Sequence, residues 1–131
     1  MDVVVDASVI IAVVANELQK DKLVAYTTGM DLIAPLSIHW EIGNAFSAML
    51  KQGRVTLHQA LQAIDLYQRI PVRFVEVELD EALKLAAELN IYAYDGYLLR
   101  CALKYNTPLL SLDKHLMRVA QIKGAQVIEV V

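Results

Sequence analysis

The sequence predicts an α/β fold, with a parallel sheet covered by helices on both faces. Short apolar or β-branched runs, such as Val3-Val4-Val5, lack the polar alternation of a half-exposed strand and read as strands buried on both sides. Segments with apolar residues at helical spacing lie between them. Strand and helix alternate along the chain, which calls for crossover connections and parallel pairing.

Val3 to Val5 is the first strand, and the apolar segment Val9 to Ala15 is the first helix. Ser8 reads as its N-cap. A second short helix covers Lys20 to Thr28, with Gly29 at its C-terminal cap. Leu32-Ile33-Ala34 is a brief strand ended by Pro35. Ser37 is placed as the N-cap of a long helix to about Lys51, with Trp40, Ala45, Phe46, Met49 and Leu50 on its apolar stripe and Gly53 past its end. Thr56 caps the next helix, which runs to about Gln68, and Pro71 breaks the chain before strand Arg73-Phe74-Val75. A helix opening near Asp80-Glu81 carries Leu83, Leu85 and Leu89. The following helix begins at Asp95 and buries Leu98, Leu99, Ala102 and Leu103. Asn106-Thr107-Pro108 precedes a strand from Leu109 to Leu112. A last helix spans about Lys114 to Lys123, Gly124 follows it, and Val127 to Val131 is the final strand.

With 131 residues, 56% of them hydrophobic, and only 5 Gly and 3 Pro, the chain reads as one domain with a substantial core. No basic leader with a cleavage pattern opens it, and the apolar run Val9 to Ala15 is too short to span a bilayer. The single Cys101 cannot form an internal disulfide. Together these features read as a cytoplasmic protein with no membrane partner. A mean hydropathy of +0.40 is more apolar than a monomer of this size needs, and an exposed apolar patch marks an interface.

Four carboxylates stand at strand ends or on the first turns of helices: Asp6, Glu41, Asp95 and Asp113. An α/β topology brings such positions to one edge of the sheet, beyond the carboxyl ends of the strands. Acids gathered without a basic partner repel one another unless a divalent cation neutralises them. Oxygen ligands suit Mg²⁺ or Mn²⁺, which lower the pKa of bound water and stabilise charge on a phosphate in flight. No nucleophilic Ser or Cys is then required. Setting these four aside, the remaining 11 Asp and Glu are balanced by 12 Lys and Arg, so the net charge of −3 does not exclude a nucleic-acid substrate. It does argue against strong non-specific binding to duplex DNA.

Singly, Asp95 also reads as an N-cap and Asp113 as a turn residue. Glu41 is the most informative of the four, because an acid among Trp40, Ile42 and Ala45 is an awkward core residue without a purpose. Lys114, His115 and Arg118 follow Asp113 on one helix; Lys114 and Arg118 can reach phosphates, and a solvated face accounts for them equally well. Arg100 and Lys104 read as one exposed face. His39, His58 and His115 lack a shared metal spacing, and Tyr92, Tyr94 and Tyr97 read as packing residues before base-stacking ones.

The run Val3 to Ile10, the segment His39 to Ala45, the stretch Tyr94 to Leu98 and the run Leu110 to Lys114 resemble the PIN domain, most of all the VapC-type toxins of toxin–antitoxin pairs. The resemblance covers nearly the whole chain. It implies an α/β/α sandwich with a five-stranded parallel sheet of order 3-2-1-4-5 and a Mg²⁺- or Mn²⁺-dependent endoribonuclease. It also implies a homodimer and a VapB-like antitoxin that blocks the site. Asp6, Glu41, Asp95 and Asp113 match the family's four acids. Ser8 matches a hydroxyl that supports the first acid, and Asn44 a polar position one turn beyond Glu41. Gly96 departs from the more usual Ala and is expected to loosen the placement of Asp95.

Other functions fit less well. A phosphorylation-switched receiver needs paired acids after the first strand and an acceptor Asp ending a middle strand, where this chain has Phe74-Val75-Glu76-Val77. A haloacid-dehalogenase-type phosphatase needs Asp-x-Asp, where this chain has Asp6-Ala7-Ser8. A PIN-like module that binds RNA or protein without catalysis remains the alternative.

Overall fold

Asp2–Val5 (β1) occupies the middle of a five-stranded parallel sheet, with neighbours on both sides. The computed structural model describes residues 1–130. After β1 come the helices Ala7–Val14 (α1) and Lys20–Thr27 (α2), strand Asp31–Pro35 (β2), and the helices Ser37–Lys51 (α3) and Leu57–Arg69 (α4). Strand Val72–Val75 (β3), helices Leu79–Leu89 (α5) and Ala93–Lys104 (α6), strand Leu109–Leu110 (β4), helix Lys114–Ile122 (α7) and strand Val127–Ile128 (β5) complete the order. The sheet order is β3-β2-β1-β4-β5, as the family resemblance implies. Val4 pairs with Ile33 on one side and Leu109 on the other.

Val3, Val4 and Val5 are all fully buried, which explains why β1 carries no polar residue between its ends. Period-two geometry splits them. Val3 and Val5 join a core with α1, α3 and α4, and Leu23 of α2 adds to it. Val4 joins a second core with α5, α6 and α7. The sheet is therefore covered on both faces.

Several local expectations shift. Ser37 is the first residue of α3 and not its cap; Leu36 holds the cap position without a side-chain bond. The buried stripe of α3 is Ile38, Ile42, Phe46 and Met49, while Trp40 and Leu50 face outward, with Trp40 61% exposed. Leu83 is likewise exposed, because Ala82, Leu85 and Ala86 form the inner face of α5. The strand expected over Leu109 to Leu112 stops at Leu110, and the one expected to Val131 stops at Ile128, with Val131 outside the described residues. Arg100 and Lys104 are not a free solvated face, since both pair with Glu78 at 3.0 and 3.2 Å. Thr56 forms the expected cap, reciprocated by the Gln59 side chain.

Gly96 lies at the contact between α5 and α6. A Cβ there would lie 2.7 Å from the Ala82 carbonyl oxygen, so the missing side chain lets α5 and α6 approach closely.

Candidate active site

β2 and β3 lie on one side of β1 and β4 and β5 on the other, so the order in which parallel strands are added reverses between β1 and β4. In open parallel sheets this switch point opens a crevice beyond the carboxyl ends of the strands. Asp6 follows β1 there, and Ser111, Leu112 and Asp113 follow β4.

Asp6 is 5% exposed and caps α1. Its Oδ1 accepts from the Val9 backbone N–H at 3.2 Å and from Ser8 Oγ at 2.6 Å, and its Oδ2 accepts from Ser111 Oγ. Ser8 is thus not the cap, but it does support the first acid. Its hydroxyl also accepts the Leu112 N–H at 3.0 Å, which ties the end of β1 to the segment after β4. Ser111 Oγ accepts the Asp113 N–H at 2.9 Å. Asp113 caps α7 by accepting from His115 and Leu116 N–H groups at 3.0 and 3.1 Å. The Asp6 carboxylate, the two serine hydroxyls and the Asp113 backbone N–H therefore form one linked network.

Ser111 had no assigned role in the sequence, because it reads there as one more strand residue. Its signal was a hydroxyl at the end of a buried strand, two residues before an acid. Asn44 is the opposite case. It lies exposed on α3 and makes no side-chain hydrogen bond among the described residues.

Glu41 sits in the second turn of α3, and Asp95 in the first turn of α6. Both are partly buried, and neither makes a side-chain hydrogen bond or salt bridge among the described residues. Burial pushes the Glu41 carboxyl up to about 7, and the charges of Asp6, Asp95 and Asp113 push it the same way. Burial also raises Asp95, with Asp113 and Asp6 adding to the rise and His115 opposing it. Asp6 is raised by burial, against the lowering effect of the bonds from Ser111, Ser8 and Val9; Asp113 raises it further. The four acids therefore share one electrostatic neighbourhood, and no Lys or Arg bonds to any of them among the described residues.

A hard divalent cation fits this set by donor chemistry and charge: the donors are carboxylate and hydroxyl oxygens, left without a protein cation. The set is not a closed cage. Among the described residues no three Asp, Glu, His or Cys side chains converge tightly enough to enclose an ion. Cys101 offers no alternative nucleophile, since it is buried and its thiol is pushed up to about 12, first by burial. Lys114 and Arg118 are exposed beside the site on α7.

Comparison with known proteins accords with this fold. The family model described as PIN domain matches residues 3–122. The crystal structure of PAE2754 from Pyrobaculum aerophilum is similar to the chain at 25% identity and a TM-score of 0.73, covering 97% of this chain and 92% of that one. No match was found among curated proteins. Among the described residues, no helix is long and apolar enough to cross a membrane.

Proposed function

The chain belongs to the PIN-domain family, and from that premise we propose that it is a metal-dependent endoribonuclease acting as the toxin of a VapC-like toxin–antitoxin pair. PIN domains are generally nucleases that use divalent metals. The observation that carries the assignment is the mutual charge repulsion of Asp6, Glu41, Asp95 and Asp113 at the switch point, with no protein cation bonded to them.

In this proposal the four acids hold Mg²⁺ or Mn²⁺. When bound, the cation supplies charge neutralisation and a water of lowered pKa for attack on the phosphodiester. Ser8 and Ser111 keep both oxygens of Asp6 in place and so fix the direction from which it can bind. The N-terminus of α7, capped by Asp113, points its partial positive charge toward the same crevice. Lys114 and Arg118 contact phosphates of the RNA.

The exposed apolar residues support the proposed assembly. Trp40, Leu57, Leu61, Leu79 and Leu83 are each about 60% exposed or more, which suits a homodimer with part of the surface left for a VapB-like antitoxin helix. An antitoxin Arg placed near Asp6, Asp95 and Asp113 would engage them bidentately and stay charged when desolvated. Its replacement by Ala should restore cleavage in the complex, or at least weaken inhibition.

A PIN-like module that binds without catalysis is the second candidate, and the absence of a closed acid cage among the described residues favours it. Two measurements separate the candidates. Titration with Mn²⁺ by calorimetry should show binding that Asp6→Asn removes. Incubation with mixed RNA and Mn²⁺ should give cleavage that a chelator stops. Binding without cleavage identifies the inactive module.

A further inference from the structure

A groove of about 920 Å³ opens beside the acids, lined by α2, α7 and the chain that follows β5. Leu18, Leu112 and Met117 give it an apolar lining. Lys22 from α2 joins Lys114 and Arg118 from α7 in the same groove. Six Lys and Arg residues form salt bridges elsewhere on the molecule, and among the described residues none of these three does. Three cations brought together from two helices without an internal partner suit an anionic ligand.

The groove is continuous with the acid centre. Ser111 lines it, while its hydroxyl bonds Asp6 and the Asp113 backbone. Leu112 lines it too, and its N–H bonds Ser8. A ligand in the groove therefore rests on the segment that fixes the first acid.

Resting on the nuclease function above, we propose that this groove is the subsite for one unpaired nucleotide of single-stranded RNA next to the scissile phosphate. Lys22, Lys114 and Arg118 take its phosphates, and Leu18 and Leu112 take the face of its base. Gln19 and Gln121 bring amides to the base edge. Glu129 also lines the groove, where it repels phosphate and accepts from an exocyclic amino group, so phosphates are confined to the side of α2 and α7. A duplex does not fit, because its bases are stacked and cannot reach an apolar floor. An acidic peptide would meet the same cations but would leave the adjoining acids without a role.

The test uses a labelled ten-nucleotide RNA of mixed sequence and the double variant Lys22→Gln/Arg118→Gln. Both residues are exposed, so the fold should survive; thermal melting checks this. Binding is measured by anisotropy in an Asp6→Asn background across a range of NaCl. Affinity should fall about tenfold. The dependence of log K on log salt should become shallower by about 1.4, which is about 0.7 for each phosphate that the variant no longer neutralises. Leu18→Ala should weaken binding without changing that slope, since Leu18 is almost fully exposed. In cleavage assays with Mn²⁺, kcat/KM on the ten-nucleotide RNA should fall about tenfold in the double variant. An unchanged salt slope in a folded double variant overturns the subsite. So does competition by a polyglutamate peptide as strong as that by unlabelled RNA. A wild-type chain that binds through the groove but cleaves nothing refutes the nuclease function and keeps the subsite.

Discussion

Asp6 and Asp113 are fixed by hydrogen bonds, whereas Glu41 and Asp95 are fixed only by the packing of the helices that carry them. On the first side, two serines and several backbone N–H groups satisfy the carboxylates and link β1 to α7. On the second side no donor reaches either acid among the described residues, and burial with like charge raises both. One half of the site is thus organised before any ligand arrives. The other half holds electrostatic strain that a cation would relieve. Hydrogen bonds on all four acids would stabilise their charged forms in advance and weaken the pull on a metal.

Asp6→Asn should break the organised half most severely. An amide keeps an acceptor for Val9 and Ser8 but loses the charge, so Mn²⁺-dependent RNA cleavage should fall by at least about a hundredfold. The melting temperature without metal should stay level or rise, because a buried charge is removed. Full activity in this variant would take Asp6 out of the site. Asp95→Asn should also abolish cleavage without unfolding the chain.

Ser111→Ala should come next. It strips a donor from Asp6 and an acceptor from the Asp113 N–H together. A loss of about 1–2 kcal/mol by urea unfolding and about 10- to 100-fold in activity is expected. If neither changes, the network does not organise the site.

Gly96→Ala tests how packing places the second half. The new methyl would press on the Ala82 carbonyl, so α5 and α6 must separate, at a cost of about 1–3 kcal/mol. Activity should fall more than stability explains, because Asp95 lies one residue away. A variant at least as stable as the parent would show that the helices yield freely.

The smallest expected effect is in pH dependence. Glu41 titrates near 7 in the folded chain against 4.5 in its ordinary state, so the folded chain binds the proton more tightly than the unfolded one. Stability from this group is therefore full below about pH 4.5 and is lost as pH rises through about 7. After discounting for solvent around a partly buried group, this amounts to about 1–2 kcal/mol. In a chelator the wild type should lose stability across that window, and Glu41→Gln should flatten the curve. Saturating Mn²⁺ should offset the loss. An identical slope in wild type and Glu41→Gln would place the repulsion elsewhere.

Signals that act over a few residues were legible in the chain. Apolar runs marked the strands, and Thr56 marked the start of α4. The four acids stood out by their positions after strands and within the first two turns of helices, which the alternation of elements brings to one edge. Helix orientation was less legible. Trp40 and Leu83 are as apolar as their buried neighbours, and which face of α3 or α5 turns inward depends on the shape of the surface each helix meets. Tertiary structure also decided the partners. Ser111 bonds an acid 105 residues away, and Gly96 owes its role to a carbonyl on another helix. The groove gathers Lys22 and Arg118 from elements far apart in the chain. Periodicity and capping are set by neighbours in sequence, whereas hydrogen-bond completion and close approach are set by whatever the fold brings alongside.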